Sequence, residues 1–282
     1  MAVQSHYFSV GSIVSWAEAG VGAVATQSVV EPAYGPRGLG QLRRGASAPD
    51  ALRRLLGDDE QADVRQVAIL DNHGRAAVHT GARCIAEAGH RVADAVSTQA
   101  NMMERPTVPD AMLEGFRSTD GDLADRLLAA LEAAEGEGGD IRGRQSAALL
   151  VVAGRATGEP MRDRPVDLRV EDHADPVGEL GRLVALAATY HRIEVGDELA
   201  AAGNVDAALE EYAKAHAEQP GNAEMAFWHG VTLAASGREE EARELLAQAY
   251  REREGWRELL RRLPASGLFP DDPQLIERLT RV

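Results

Sequence analysis

Val21-Gly22-Ala23-Val24-Ala25-Thr26-Gln27-Ser28, followed by Ala33-Tyr34-Gly35-Pro36-Arg37-Gly38-Leu39, decides how this chain is read. A strand of small residues ends in polar groups and feeds a turn shaped by glycine and proline, which is how a rigid sheet presents chemistry at its rim. Before it, Met1-Ala2-Val3-Gln4-Ser5-His6 is already in apolar/polar alternation, as in a sheet entered at its second strand. Working outward, strands are expected at residues 2–7, 22–28, 64–71, 75–81, 95–102, 146–153 and 166–170. Asn72-His73-Gly74 joins two of them through residues that tolerate positive φ, so a hairpin is expected there.

Helices are expected at residues 36–44, which have Pro36 in the first turn, at 48–56 behind a Ser47 cap, and at 108–116. Leu123, Leu127, Ala130, Leu131 and Ala134 share one stripe of a further helix, opened near Thr119 or Asp120 and stopped by Gly136, Gly138 and Gly139. Strand pairs with helices grouped between them predict a layered, antiparallel α+β fold. An amphipathic helix at 179–191 leads out of this domain, which places the domains at residues 1–192 and 193–282.

The second part repeats. Gly203, Ala208, Tyr212 and Ala215 recur 34 positions later as Gly237, Ala242, Leu246 and Ala249. That is the tetratricopeptide period, in which small residues let two antiparallel helices pack closely. Pro220-Gly221-Asn222 closes the first unit, and Phe227, Trp228, Val231 and Leu233 begin the next helix. Two units are fewer than such arrays need to stand alone, so docking on the first domain or on another subunit, and hence a homo-oligomer, is expected. The segment 263–270 is expected to be a buried loop strapping down the last helix, and Trp228 and Trp256 are read as core.

Over 282 residues the formal net charge is −15, which argues against nucleic acid, since phosphate binding needs a basic surface. No window approaches the roughly 18 apolar residues of a membrane span. No export signal is read, and Cys84 stands alone, so a cytoplasmic setting is expected and Cys84 is taken as a small buried hydrophobe. Lys214 is the only lysine, which reflects codon usage better than a demand for guanidinium groups.

Gly20-Val21-Gly22-Ala23-Val24-Ala25 fits a loose dinucleotide pattern, but Thr26-Gln27-Ser28-Val29-Val30 continues as strand and no helix N-terminus follows to hold a pyrophosphate. The pattern is rejected and no cofactor is expected. The eight histidines show no metal-ligand spacing, so no metal is expected either. His6, His73, His79 and His90 converge only if folding brings them together; among them His79-Thr80-Gly81 at a strand end is the most site-like, with a hydrogen bond inside the sheet as the plainer reading. Arg142-Gly143-Arg144-Gln145-Ser146 runs into an apolar strand, where it reads equally well as a carboxylate-binding mouth or a solvated turn. Thr26, Gln27, Ser28, Thr80, Gln99 and Asn101 sit at or near strand ends and supply the uncharged donors that an acyl-transfer oxyanion needs. Asp167, Arg169, Glu171, Asp172 and Asp175 read as surface ion pairing.

At residues 20–39, 79–81, 99–102, 142–152 and 166–176 the chain resembles a bacterial family of unknown function, numbered 1028 and placed in the Ntn-hydrolase superfamily. The resemblance implies a four-layer αββα sandwich and hydrolysis of a small amide by an N-terminal Thr, Ser or Cys. The α-amine of that residue, with a pKa of roughly 8, acts as general base. A substrate-binding role is expected for Thr26, Gln27, Ser28, His79, Thr80, Asn101, Arg144 and Gln145. Members carry a further strand, with Thr or Ser near its start, ahead of the segment matching residues 2–6. That strand is expected to be missing here, either because the start is placed too late or because the chain is a shortened member; Met1 and Ala2 offer no nucleophile, so the chain as written is expected to turn over amides weakly or not at all. Residues from 197 onward resemble the small helical domain often fused to the family and labelled peptidoglycan-binding. A non-catalytic scaffold using the helical repeats is the alternative function.

Overall fold

The computed structural model of this protein describes all 282 residues. Two compact units are formed, Met1–Val184 and Ala185–Val282. The strands all lie in the first: β1 (Ala2–Ser5), β2 (Ser15–Glu18), β3 (Gly22–Ser28), β4 (Arg65–Asp71), β5 (Ala76–Thr80), β6 (Gly89–Ala93), β7 (Val96–Ala100), β8 (Ser146–Val151) and β9 (Val166–Val170). Every pairing is antiparallel, in a four-stranded sheet β2-β3-β4-β5, a three-stranded sheet β1-β8-β9 and a hairpin β6-β7. Two strands, β2 and β6, were not anticipated, and the expected 2–7 strand stops at Ser5.

The helices of this unit are α1 (Gly11–Val14), α2 (Tyr34–Arg43), α3 (Ala48–Gly57), α4 (Val108–Ser118), α5 (Leu123–Gly136), α6 (Pro160–Asp163) and the start of α7 (Pro176–Ala201). Alternation sorts the side chains of the four-stranded sheet. Val24, Val67 and Ile69 face α2 and α3, meeting Tyr34, Leu39, Leu52 and Leu55 in one buried cluster. A side chain at Gly35 would lie 2.2 Å from the Trp16 ring, so only glycine lets α2 come this close to β2. Ala25, Ala68 and Val78 point the other way and pack with Met1, Val3, Val10 and Val14. The opposite face of β1-β8-β9 is covered by α5 and α7 through Ala147, Leu149, Val170, Leu131 and Leu180. Helices α2 and α3 thus cover one face of the four-stranded sheet, and α5 and α7 one face of the three-stranded sheet. The start of α5 is set by Asp122, later than expected: it accepts from the N–H groups of Ala124 and Asp125, while Asp125 accepts from Asp122 N.

In the second unit, the end of α7 is followed by α8 (Val205–Glu218), α9 (Ala223–Ala235), α10 (Glu239–Glu252), α11 (Gly255–Arg262) and α12 (Pro273–Thr280). The repeat positions behave as a period of antiparallel helices requires: Ala208, Tyr212, Ala215, Ala242, Leu246 and Ala249 are all buried. Gly203 and Gly237 take the same left-handed turn, with φ of +81° and +86°. Trp228 and Trp256 pack on Phe227, with ring centroids 5.2 and 4.9 Å apart, as core. Within the expected strap, Leu263 and Phe269 are buried but Leu268 is exposed, and Asp272 caps one more helix beyond it.

Candidate functional site

Register places a polar row across the inner face of the four-stranded sheet. Gln27 of β3 lies opposite Gln66 of β4, and Gln66 lies opposite Thr80 of β5. One step along, the same face carries the apolar row Ala25, Ala68 and Val78. Gln66 is fully buried and completely engaged. Its Oε1 accepts from Gln27 Nε2 at 2.8 Å and from Asn101 Nδ2 at 3.0 Å. Its Nε2 donates to Thr80 Oγ1 at 3.0 Å, Ala100 O at 2.9 Å and Gly89 O at 3.1 Å. Gly89 and Ala100 face each other across the open end of the β6-β7 hairpin, so one amide bolts that hairpin to the sheet. Thr80 Oγ1 lies 2.8 Å from Nδ1 of His90. Burial, with the neighbouring Arg91 and His79, lowers the His90 pKa and keeps its ring neutral. The cluster therefore carries donors and acceptors without formal charge.

Beside it lies a cavity of about 440 Å³ lined by residues of both sheets, β7, α4 and α5. Its lining mixes apolar side chains (Ala25, Val96, Met112, Leu127 and Leu131 among them) with polar ones that include Gln27, Gln99 and Asn101. Ser28 and Met102, which follow Gln27 and Asn101 in sequence, have φ of +70° and +59° and also line it. A left-handed backbone at a residue other than glycine costs about 1 kcal/mol, and such strain gathers where a side chain must be aimed. Three buried polar atoms on this lining, Gln4 Nε2, Ser15 Oγ and Ser28 Oγ, have no hydrogen-bond partner. The charges on the lining are matched. Burial disfavours the Asp140 carboxylate, yet Arg142 and the N–H groups of Arg142 and His6 outweigh it and hold its pKa low.

Of the residues singled out in the sequence, Gln27, Thr80 and Asn101 meet at Gln66, and Ser28 lines the same cavity. Four lie elsewhere. Thr26 points to the opposite face of β3 and donates to Glu31 O at 3.2 Å. His79, one residue from Thr80, faces the other way, its Nε2 2.9 Å from Ala62 O. Arg144 is engaged by Glu135 and by Asp175, and Gln145 donates to Asp172 at 3.2 Å, so these two join the acidic run and not the cavity. Cys84 is half-buried, its Sγ 3.3 Å from Arg65 O. No three His, Cys, Asp or Glu side chains gather in a metal-ligand cluster. No helix is long and apolar enough to cross a membrane. Gln66 and Gln4 were missed; the signal for Gln66 was an amide among apolar residues on a strand buried on both faces.

The sequence profile of the family of unknown function DUF1028 matches residues 1–180. The chain belongs to the DUF1028 family. A tetratricopeptide-repeat profile matches residues 199–264 of this DUF1028 protein. Among solved structures, it is similar to the crystal structure of SPO2555 from Silicibacter pomeroyi, described as a DUF1028 protein. Identity is 32% and the TM-score 0.59, over 65% of this chain and 77% of the other. No match was found among curated proteins.

Proposed function

We propose that the DUF1028 unit binds a small uncharged amide and is built on the plan of the Ntn hydrolases, with helices outside two stacked antiparallel sheets. The observation that carries this reading is the charge-free amide and hydroxyl cluster of Gln27, Gln66, Asn101 and Thr80, two of whose members, Gln27 and Asn101, line the cavity. An amide ligand offers one strong acceptor and one donor and no charge, which suits walls that hold no unpaired ion. In Ntn chemistry an N-terminal hydroxyl or thiol attacks the amide carbon, its own α-amine takes the proton, and fixed N–H donors hold the oxyanion. Gln27 and Asn101 are the residues assigned to orient the carbonyl.

The test is ligand-induced thermal stabilisation with matched amides, carboxylates and amines, run beside an assay for released amine. Stabilisation by amides alone, lost in Asn101→Ala, supports the reading; equal or better binding of the charged analogues overturns it. A second, non-catalytic reading concerns the helical unit, where His216, Arg243, Glu244, Gln248 and Arg251 line a recess of mixed charge open to a partner, with Arg243 paired to Glu239.

A further inference from the structure

Counting hydrogens fixes the direction of the bonds around Gln66. Its Nε2 carries two hydrogens, yet three oxygens lie within 3.1 Å of it: Thr80 Oγ1, Gly89 O and Ala100 O. The two carbonyls only accept, so the nitrogen must face them, and Oε1 must face Gln27 and Asn101. Thr80 Oγ1 is therefore an acceptor toward Gln66. That leaves its own hydrogen for its one other partner, Nδ1 of His90 at 2.8 Å. Nδ1 is then the bare nitrogen of a neutral ring, and the ring proton sits on Nε2.

Few charges surround that ring. His79 comes from β5 and Arg91 from β6 itself, and Asp110 of α4 is committed to Arg91 through two bonds of 2.6 Å. β7 brings no charge, and Gln66 is the neighbour from β4. Burial first, then Arg91 and His79, hold the ring's pKa below its ordinary 6.5. At the far end of the network, Asn101 Nδ2 has one hydrogen on Gln66 and a second without a protein partner, and Asn101 lines the cavity. A planar amide that anchors one hydrogen thereby aims the other, so whatever fixes Gln66 aims that donor.

We propose that His90 is a positioning residue that switches the amide site: neutral, it draws the Thr80 hydrogen and locks Gln66 and Asn101 in the arrangement that receives a carbonyl, and protonated, it unlocks them. The inference rests on the amide reading and adds its regulation by acid. With a hydrogen on Nδ1, the ring can only donate to Thr80 Oγ1. The Thr80 hydrogen is then left facing Gln66 Nε2, which cannot accept it, and one buried donor goes unsatisfied. Turning the Gln66 amide over gives no relief. Its nitrogen would then face the Gln27 and Asn101 nitrogens, and its oxygen the Gly89 and Ala100 carbonyls. β5 and β6 share no ladder, so the mismatch is shed by parting the hairpin from the sheet, which frees Gln66 and spoils the aim of Asn101. The sign follows from the ring being harder to protonate in the folded protein than in the unfolded chain. The network is complete above pH 6.5 and is lost as pH falls through the folded-state value.

The experiment titrates the whole 282-residue protein with butyramide from about pH 8 to about pH 5, while NMR reads the His90 ring nitrogens and the Asn101 side-chain amide. At the alkaline end the ring proton is expected on Nε2, with Nδ1 bare. Butyramide affinity is expected to fall about tenfold in step with the titration of that ring, the worth of one hydrogen bond. His90→Asn presents an amide oxygen where Nδ1 stands and takes up no proton, so it is expected to keep the alkaline affinity throughout. His90→Leu offers no acceptor and is expected to show the weakened affinity throughout. A residue that only fills space would not be rescued by asparagine better than by leucine. The asparagine variant leaves His6, His73 and His79 in place, so a pH dependence that survives in it overturns the proposal. So does a proton on Nδ1 at the alkaline end, or an affinity of the unaltered protein that stays flat over the range. These last two readings need no variant and decide the matter even if the substitutions disturb folding. Butyramide bound with a flat profile leaves the amide reading standing without this inference. If butyramide binds at no pH, the amide reading falls and the Asn101 amide resonances judge the switch: movement in step with His90 keeps it, and stillness ends it.

Discussion

The two faces of β4 are built on opposite principles although their residues alternate along one strand. Toward the helices, Arg65, Val67, Ile69 and Asp71 are buried and every polar group among them is matched. Arg65 Nε bonds Asp59 at 2.8 Å, Tyr34 Oη donates to the same carboxylate at 2.8 Å, and Asp71 accepts from Ala48, His73 and Arg75. Toward the other sheet, Gln66 sits in a network that borders a cavity, and unpartnered hydroxyl and amide groups lie along that cavity's lining. The first face is arranged to hold the fold together, whereas the second keeps hydrogen-bonding capacity in reserve, which is useful only if something arrives to use it.

The sharpest test of that contrast is truncation on the packed face. Leu55 is fully buried against the sheet, and Leu55→Ala is expected to cost about 4 kcal/mol, read as a lower denaturant midpoint at unchanged slope. A loss below about 1 kcal/mol would mean that this face is as loosely filled as the other. Next is Gln66→Leu. It removes the bolt to the hairpin and strands the Gln27 and Asn101 donors and the Gly89 and Ala100 carbonyls, so a loss of about 3 kcal/mol is expected. Faster amide exchange should be confined to the β6-β7 hairpin; uniform loosening would show that the network supports the whole unit.

Acid gives a smaller effect, and its sign can be worked out. The hydrogen bond from Arg65 comes first in holding the Asp59 pKa down to about 2, against the opposing effect of burial, while the ordinary value is 3.8. The unfolded chain therefore binds the proton more readily between these values. The stabilisation is complete above pH 3.8 and is lost as pH falls through about 2. Asp59→Asn is expected to be less stable than the parent by about 2 kcal/mol at neutral pH, and the gap should close across that acid window. A gap that stays constant with pH would show that packing, not charge, is what the variant loses.

Much of this was legible from the residues. Both Gly22–Ser28 and Val166–Val170 were placed to the residue because small or β-branched runs meet clear polar boundaries. β2 was hidden because its four residues, Ser15 to Glu18, show no alternation of their own, and β6 because His90 and Arg91 look like loop. Gln27, Thr80 and Asn101 were found as polar groups at strand ends. Thr26 and His79 were drawn in with them, and period two then sends each to the far face, which only tertiary packing can reveal. Arg144 and Gln145 were lost to Glu135, Asp172 and Asp175, partners whose proximity no spacing encodes.

The smallest effect is the one that separates the two faces most cleanly. Ser15 Oγ is buried on the cavity side with no partner, so the native state bears a desolvation cost that the unfolded chain escapes. Ser15→Ala deletes that cost and little else, because the methyl group it leaves opens no new void on a strand already facing a cavity. A gain of about 0.5–1 kcal/mol is expected in the free protein, measured by chemical denaturation. The same hydroxyl lines the cavity, so the variant should bind an amide ligand there less tightly while standing up better to denaturant. Opposite signs for stability and binding in one substitution mark a group kept for recognition, whereas a loss in both would place Ser15 with the packed face.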